Sequence, residues 1–177
     1  MKTAFIIIDV QNILVETGFE TQKLLEKISY LQDQARKQQI EIIYIQHIET
    51  EEALTSEDWK LSPLLKRQSD EKVFQKRYNS IFKETGLKEY LDQQGIEKLV
   101  LCGMQTEYCV DTSVKVAFEH GYKLVVPEGT VTTFDGDDIP AETINDFYEN
   151  IWDERFADVL DYKTIFNERG LNERRIT

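Results

Sequence analysis

The chain alternates between short unbroken hydrophobic runs and longer stretches in which hydrophobic positions recur every three or four residues. Thr3 to Ile8 is the clearest short run, since Ala4-Phe5-Ile6-Ile7-Ile8 has no polar break and is rich in β-branched side chains. Such a run fits a strand buried on both faces. Ile40 to Ile45, Lys98 to Cys102 and Lys123 to Val126 have the same character, the last stopped by Pro127. Val73 to Gln75 and Phe156 to Leu160 read as shorter strands. Leu24, Leu25, Ile28, Leu31 and Ala35 form one apolar stripe of a helix over Thr21 to Gln39. Leu87 to Gln94 is helical, with Gly95 at its left-handed C-terminal position. Thr106 to His120 is helical through Val110, Val114, Ala117 and Phe118 and is closed by Gly121. Ala141 to Trp152 is a further helix.

Strands alternating with helices predict a parallel sheet covered on both faces. Right-handed crossovers then give a doubly wound, Rossmann-like α/β/α sandwich. No repeat, low-complexity stretch or Pro/Gly linker interrupts the pattern, so residues 1–177 read as one domain. In such folds ligands bind beyond the carboxyl ends of the strands. The first strand is followed there by Asp9-Val10-Gln11-Asn12, which has none of the glycines of a dinucleotide-binding turn.

Three polar residues fall at strand ends. Asp9 closes the first strand, where an aspartate commonly caps the following turn and also faces the ligand end of the sheet. Lys76 follows the short third strand among Lys72, Arg77 and Lys83, a context that reads as a solvated basic face unless its side chain turns inward. Cys109 opens the helix after the Lys98–Cys102 strand. With Thr106 as N-cap it stands at the third helical position, where free N–H groups stabilise a thiolate. The same position suits a small packed hydrophobe, which is the expected fate of Cys102 within its strand. Together the three make a chemical unit: a thiol nucleophile, a carboxylate base and a supporting cation.

The bulk numbers narrow the partners. A formal net charge of -12 opposes binding to phosphate backbones and anionic lipid surfaces, so neither a nucleic acid nor a membrane is expected. The N-terminal apolar run is stopped by Asp9, too short to span a bilayer, and no cleavage site follows it. The expectation is a cytoplasmic protein with its two cysteines reduced.

The three motifs Asp9-Val10-Gln11-Asn12, Phe74-Gln75-Lys76-Arg77-Tyr78-Asn79-Ser80-Ile81-Phe82 and Gly103-Met104-Gln105-Thr106-Glu107-Tyr108-Cys109-Val110 resemble, in this order, those of the isochorismatase-like cysteine hydrolases. The likeness runs from Met1 to about Leu160, and the last motif is locally similar to a subgroup that includes streptothricin hydrolase. The resemblance implies a six-stranded, mainly parallel sheet and a triad of Asp9 as base, Lys76 as supporting cation and Cys109 as nucleophile. It also implies a cis peptide between Met104 and Gln105, with the Gln105 and Cys109 N–H groups forming an oxyanion hole. Nicotinamidases of the family carry an Asp-x-His metal motif after the second strand. Here that stretch reads Ile45-Gln46-His47-Ile48-Glu49, and the other histidine, His120, suits a helix end. One histidine makes a poor transition-metal site, so no metal and no cofactor are expected.

The expected function is hydrolysis of a C–N bond in a small-molecule amide. Gln11, Tyr78 and Tyr108 are candidate pocket residues through their nearness to the triad, and the Glu49–Asp70 loop, with Trp59 and a possible helix at Leu61–Gln68, is a candidate lid. Vinyl-ether hydrolysis of the isochorismatase type and a non-catalytic binding role are the competing readings. Apolar helix faces and the resemblance together favour a homo-oligomer, a dimer or higher.

Overall fold

The computed structural model describes residues 1–166. The strands are β1 (Thr3–Ile8), β2 (Glu41–His47), β3 (Lys72–Lys76), β4 (Lys98–Met104), β5 (Lys123–Pro127), β6 (Val131–Thr132) and β7 (Asp158–Leu160). Six of them form one parallel sheet in the order β3-β2-β1-β4-β5-β7, and the two-residue β6 adds to the end of β4. The helices are α1 (Asn12–Thr17), α2 (Thr21–Lys37), α3 (Leu87–Gln94), α4 (Asp111–Glu119) and α5 (Ala141–Trp152).

The alternation of side chains along each strand sorts the core into two layers. Ala4, Ile6 and Ile8 of β1 face α3, α4 and α5, packing with Leu87, Leu91, Val114 and Trp152. Phe5 and Ile7 face α2, packing with Leu24, Ile28, Leu31 and Ala35. Cys102 belongs to this second layer and is fully buried, which agrees with a structural role. No helix of the described residues is long and apolar enough to cross a membrane.

Several boundaries differ from the sequence expectation. The second strand runs on to His47 and the fourth to Met104, because Gln46 and His47 pair in register with Gln75 and Lys76, and Gly103 and Met104 with Val131 and Thr132. The single helix expected over Thr106–His120 is two elements, a five-residue π-turn (Thr106–Val110) followed by α4. Thr106 is not the N-cap. Gln105 occupies that position without a side-chain cap, and the Thr106 hydroxyl donates to Asn145 Oδ1 of α5 at 2.6 Å. Leu61–Gln68 is not a helix beyond a 3₁₀ turn at Pro63–Leu65. The short α1 and β6 have too few residues to show a period.

Gly103 explains why the strand ends meet closely. It pairs with Ile8 of β1, has φ +125°, and a Cβ there would lie 2.0 Å from the Ile8 carbonyl oxygen. Only glycine allows that backbone and that approach. Gly103→Ala is expected to lose roughly 2–6 kcal/mol of stability, from the forced φ and the overlap with main chain. Urea denaturation of the two proteins measures this loss.

Candidate active site

The site forms where the ends of β1, β2 and β3 meet the π-turn after β4. Asp9 follows β1 directly with φ +50°, a left-handed conformation that aspartate tolerates better than most residues. Its N–H bonds to Ile45 O of β2 at 3.1 Å, so the carboxylate sits at a rigid strand end. Lys76 ends β3 and lies opposite His47 in the β2–β3 register. In a parallel pair this puts both side chains on one face of the sheet.

Lys76 is not on a solvated basic face. It is 2% exposed, and its ammonium lies 2.7 Å from Asp9 Oδ2, 3.1 Å from Cys109 Sγ and 2.9 Å from His47 Nδ1. An ammonium has three N–H donors and no acceptor, so all three protons are matched and His47 Nδ1 must be the unprotonated ring nitrogen. Asp9 Oδ1 is buried without a hydrogen-bond partner. A carboxylate oxygen of Asp9, a ring nitrogen of His47 and Cys109 Sγ lie within 4.8 Å of one another. Such a donor set could close on a metal, but Lys76 Nζ hydrogen bonds to all three residues, and a cation there would meet its positive charge.

The proton positions follow from burial. Burial raises the Asp9 carboxyl above its ordinary value despite the opposing charge and hydrogen bond of Lys76. Burial, with the charge of Asp9, pushes the Cys109 thiol up to about 12, against the pull of Lys76. The resting sulfur is therefore a thiol beside an acceptor, not the thiolate expected from a helix N-terminus. Desolvation outweighs the partial charge of one turn here. Burial and the nearby Lys76 charge lower His47 to about 4, which keeps its ring neutral.

The turn that carries Cys109 is locked from behind. Ser113 Oγ donates to Cys109 O at 2.5 Å and accepts from Ile81 N at 3.2 Å, tying the turn to the segment after β3. Asn79 Oδ1, from that same segment, stands 3.9 Å from Cys109 Sγ as a weak acceptor for the thiol. The Met104–Gln105 peptide is cis, as the resemblance implies. A groove of ≈ 160 Å³ between α2 and α5 includes none of these residues.

The pocket candidates fare differently. Gln11 does not face a ligand. It is fully buried, its Oε1 accepts from His47 N at 2.8 Å, and its Nε2 donates to His47 O at 3.0 Å and Trp59 O at 2.6 Å. Its amide is fully committed to main chain. Tyr78 is partly exposed under the Lys83 ammonium, 3.8 Å from the ring centroid, and Tyr108 is half exposed. The Glu49–Asp70 loop, the candidate lid, is tied to the strand ends around Trp59–Ser62. Gln46 Nε2 also holds Trp59 O, Asn12 N holds Lys60 O, and Ser62 N holds Val10 O. His47 and Asn79 are the residues of the cluster that sequence reading did not place in it. His47 stands opposite Lys76 only through the β2–β3 register, which sequence spacing does not give.

Residues 3–163 match the isochorismatase domain. The chain belongs to the isochorismatase family. This isochorismatase-family hydrolase is 29% identical over 159 residues to the uncharacterized isochorismatase family protein YddQ of Bacillus subtilis, covering 82% of this chain and 88% of YddQ. It is 28% identical over 144 residues to streptothricin hydrolase of Streptomyces noursei, covering 78% of this chain and 51% of that protein. A crystal structure of an isochorismatase family protein superposes with a TM-score of 0.86 at 30% identity, covering 90% of this chain and 98% of that one.

Proposed function

We propose that this chain hydrolyses a carbon–nitrogen bond in a small amide through an acyl-enzyme on Cys109, without a metal. The observation that carries the reading is the Lys76 ammonium held between Asp9 Oδ2 and Cys109 Sγ, with Asp9 Oδ1 buried and free to take a proton. Asp9 accepts the thiol proton as sulfur bonds to the carbonyl carbon, and the carbonyl π pair moves to oxygen. The N–H groups of Gln105, which caps the π-turn, and of Cys109 within it receive that oxyanion. As the oxyanion collapses, the C–N bond breaks and the nitrogen takes the proton held by Asp9. Water then attacks the thioester while Asp9 accepts one of its protons, the acid leaves, and the sulfur recovers its proton from Asp9.

Amide chemistry is favoured over vinyl-ether hydrolysis because a departing nitrogen needs both a nucleophile and a returned proton. A buried carboxyl with a raised pKa supplies the proton. Incubation with an amide and ester library, followed by mass spectrometry, tests the reading. The expected result is an acyl adduct on the peptide containing Cys109, its mass naming the acyl group. Adducts absent from Cys109 across the library, or confined to Cys102, count against it.

A further inference from the structure

The mechanism above uses Asp9, Lys76 and Cys109 but leaves one close neighbour of the ammonium unexplained. His47 Nδ1 takes the third Lys76 proton at 2.9 Å, and much of the surrounding structure holds that ring in place. The amide of Gln11 clasps the His47 backbone from both sides, bonding its N–H and its carbonyl. The same amide holds Trp59 O, and the Trp59 side chain lies tilted against the imidazole at 6.1 Å between centroids. Ile48 N bonds to Lys76 O at 2.9 Å, which continues the strand pairing past the two side chains.

We propose that His47 is a positioning residue of this hydrolase, the uncharged third acceptor that keeps the Lys76 ammonium directed at Asp9 and Cys109. The inference rests on the Cys109 reading above and deepens it. A buried ammonium with an unmatched N–H is costly, so it turns toward another acceptor or water. A Lys76 drawn away from the pair would no longer hold Asp9 ionised or offset the negative charge that develops on sulfur. A carboxylate in place of His47 would satisfy the N–H but add a second negative charge beside Asp9, cancelling the field that Lys76 supplies. Imidazole with a free Nδ1 lone pair accepts without adding charge. The titratable groups facing it are Asp9 from the end of β1, Lys76 from β3 and Cys109 from the π-turn.

The test is the rate of Cys109 alkylation by iodoacetamide across pH 5–9, read by mass spectrometry with Cys102 as the internal control. Alkylation assisted by Asp9 falls in acid as that carboxylate protonates. In His47→Leu the rate is expected to drop about tenfold and the acid limb to move up by about one pH unit, since the Lys76 charge that lowers Asp9 is weakened. His47→Asn places an amide oxygen near the Nδ1 position and is expected to keep both rate and limb near those of the parent. A folded His47→Leu protein with the parent profile overturns the proposal. So does an Asn variant as impaired as Leu, which would assign the effect to ring packing on Trp59. Should the Leu variant not fold, Asn against Asp decides: the Asp variant must be slower and shifted upward, and identical profiles overturn the idea. A parent protein whose Cys109 labels no faster than Cys102 at any pH sinks the nucleophile reading itself, whatever His47 does.

Discussion

Cys109→Ala is expected to abolish turnover and adduct formation on the amide that the library identifies, a loss on the order of 10⁴-fold or more. The thermal midpoint should stay close to that of the parent. In the proposed mechanism the substitution removes the one group that bonds to the carbonyl carbon, and nothing else in the cluster can take that role. Lys76 is consumed by three acceptors, Asp9 is proposed as the base, and Cys102 is sealed in the core. The fold tolerates the change because Cys109 is only half-buried and its turn is held by main-chain and Ser113 bonds that do not involve sulfur. In the parent enzyme, activity should fall in acid through the Asp9 carboxyl, at a pH above the usual carboxylate range because burial raises it. The sign follows from the proposed role: Asp9 must be ionised to receive the thiol proton. His47, lowered to about 4, stays neutral at working pH and adds no break near 6.5. A full rate for Cys109→Ala in a steady-state assay would end the covalent mechanism.

The strands could be read from the sequence because both faces of this sheet are covered. Ala4 to Ile8 and Leu99 to Cys102 are hydrophobic without a break, and that pattern is what two layers of helices demand. Asp9 was legible for a related reason, since a polar residue directly after such a run has few places to go but the ligand end of the sheet, and Cys109 through its place at the start of the helical stretch after β4. Lys76 was not. Its neighbours Lys72, Gln75 and Arg77 look like a solvated edge strand, and β3 is indeed largely exposed except at Lys76 itself. Only the pairing of β3 with β2 turns that one side chain inward, and register lies beyond the reach of local spacing. Gln11 was misread for the converse reason. Nearness to Asp9 in sequence suggested a ligand, but its side chain runs sideways to the ends of β2 and the Trp59 loop. The raised Cys109 thiol was out of reach because helix position suggests a lower value, while burial depends on what packs above the turn.

Lys76→Met is expected to lower turnover by roughly 10²–10⁴-fold and to cost about 3–5 kcal/mol of stability. Both effects have one origin. Methionine fills much the same volume but leaves Asp9, 1% exposed, as a buried charge with no counter-ion 2.7 Å away. The carboxyl then meets its burial by holding a proton, and a protonated Asp9 cannot accept one from Cys109. A double-mutant cycle separates this explanation from a simple packing defect. Asp9→Asn suits the local backbone, since asparagine also tolerates the left-handed φ of +50°. Alone it leaves the Lys76 charge short of its carboxylate. Combined with Lys76→Met it removes both charges, so the double variant should be more stable than the sum of the single losses predicts, by about 1–3 kcal/mol. It should also be inactive. Urea denaturation of the four proteins measures the coupling, and turnover under saturating amide measures the rest. Strict additivity would mean that Lys76 and Asp9 contribute to the fold independently. That outcome would contradict a site whose chemistry depends on their shared charge.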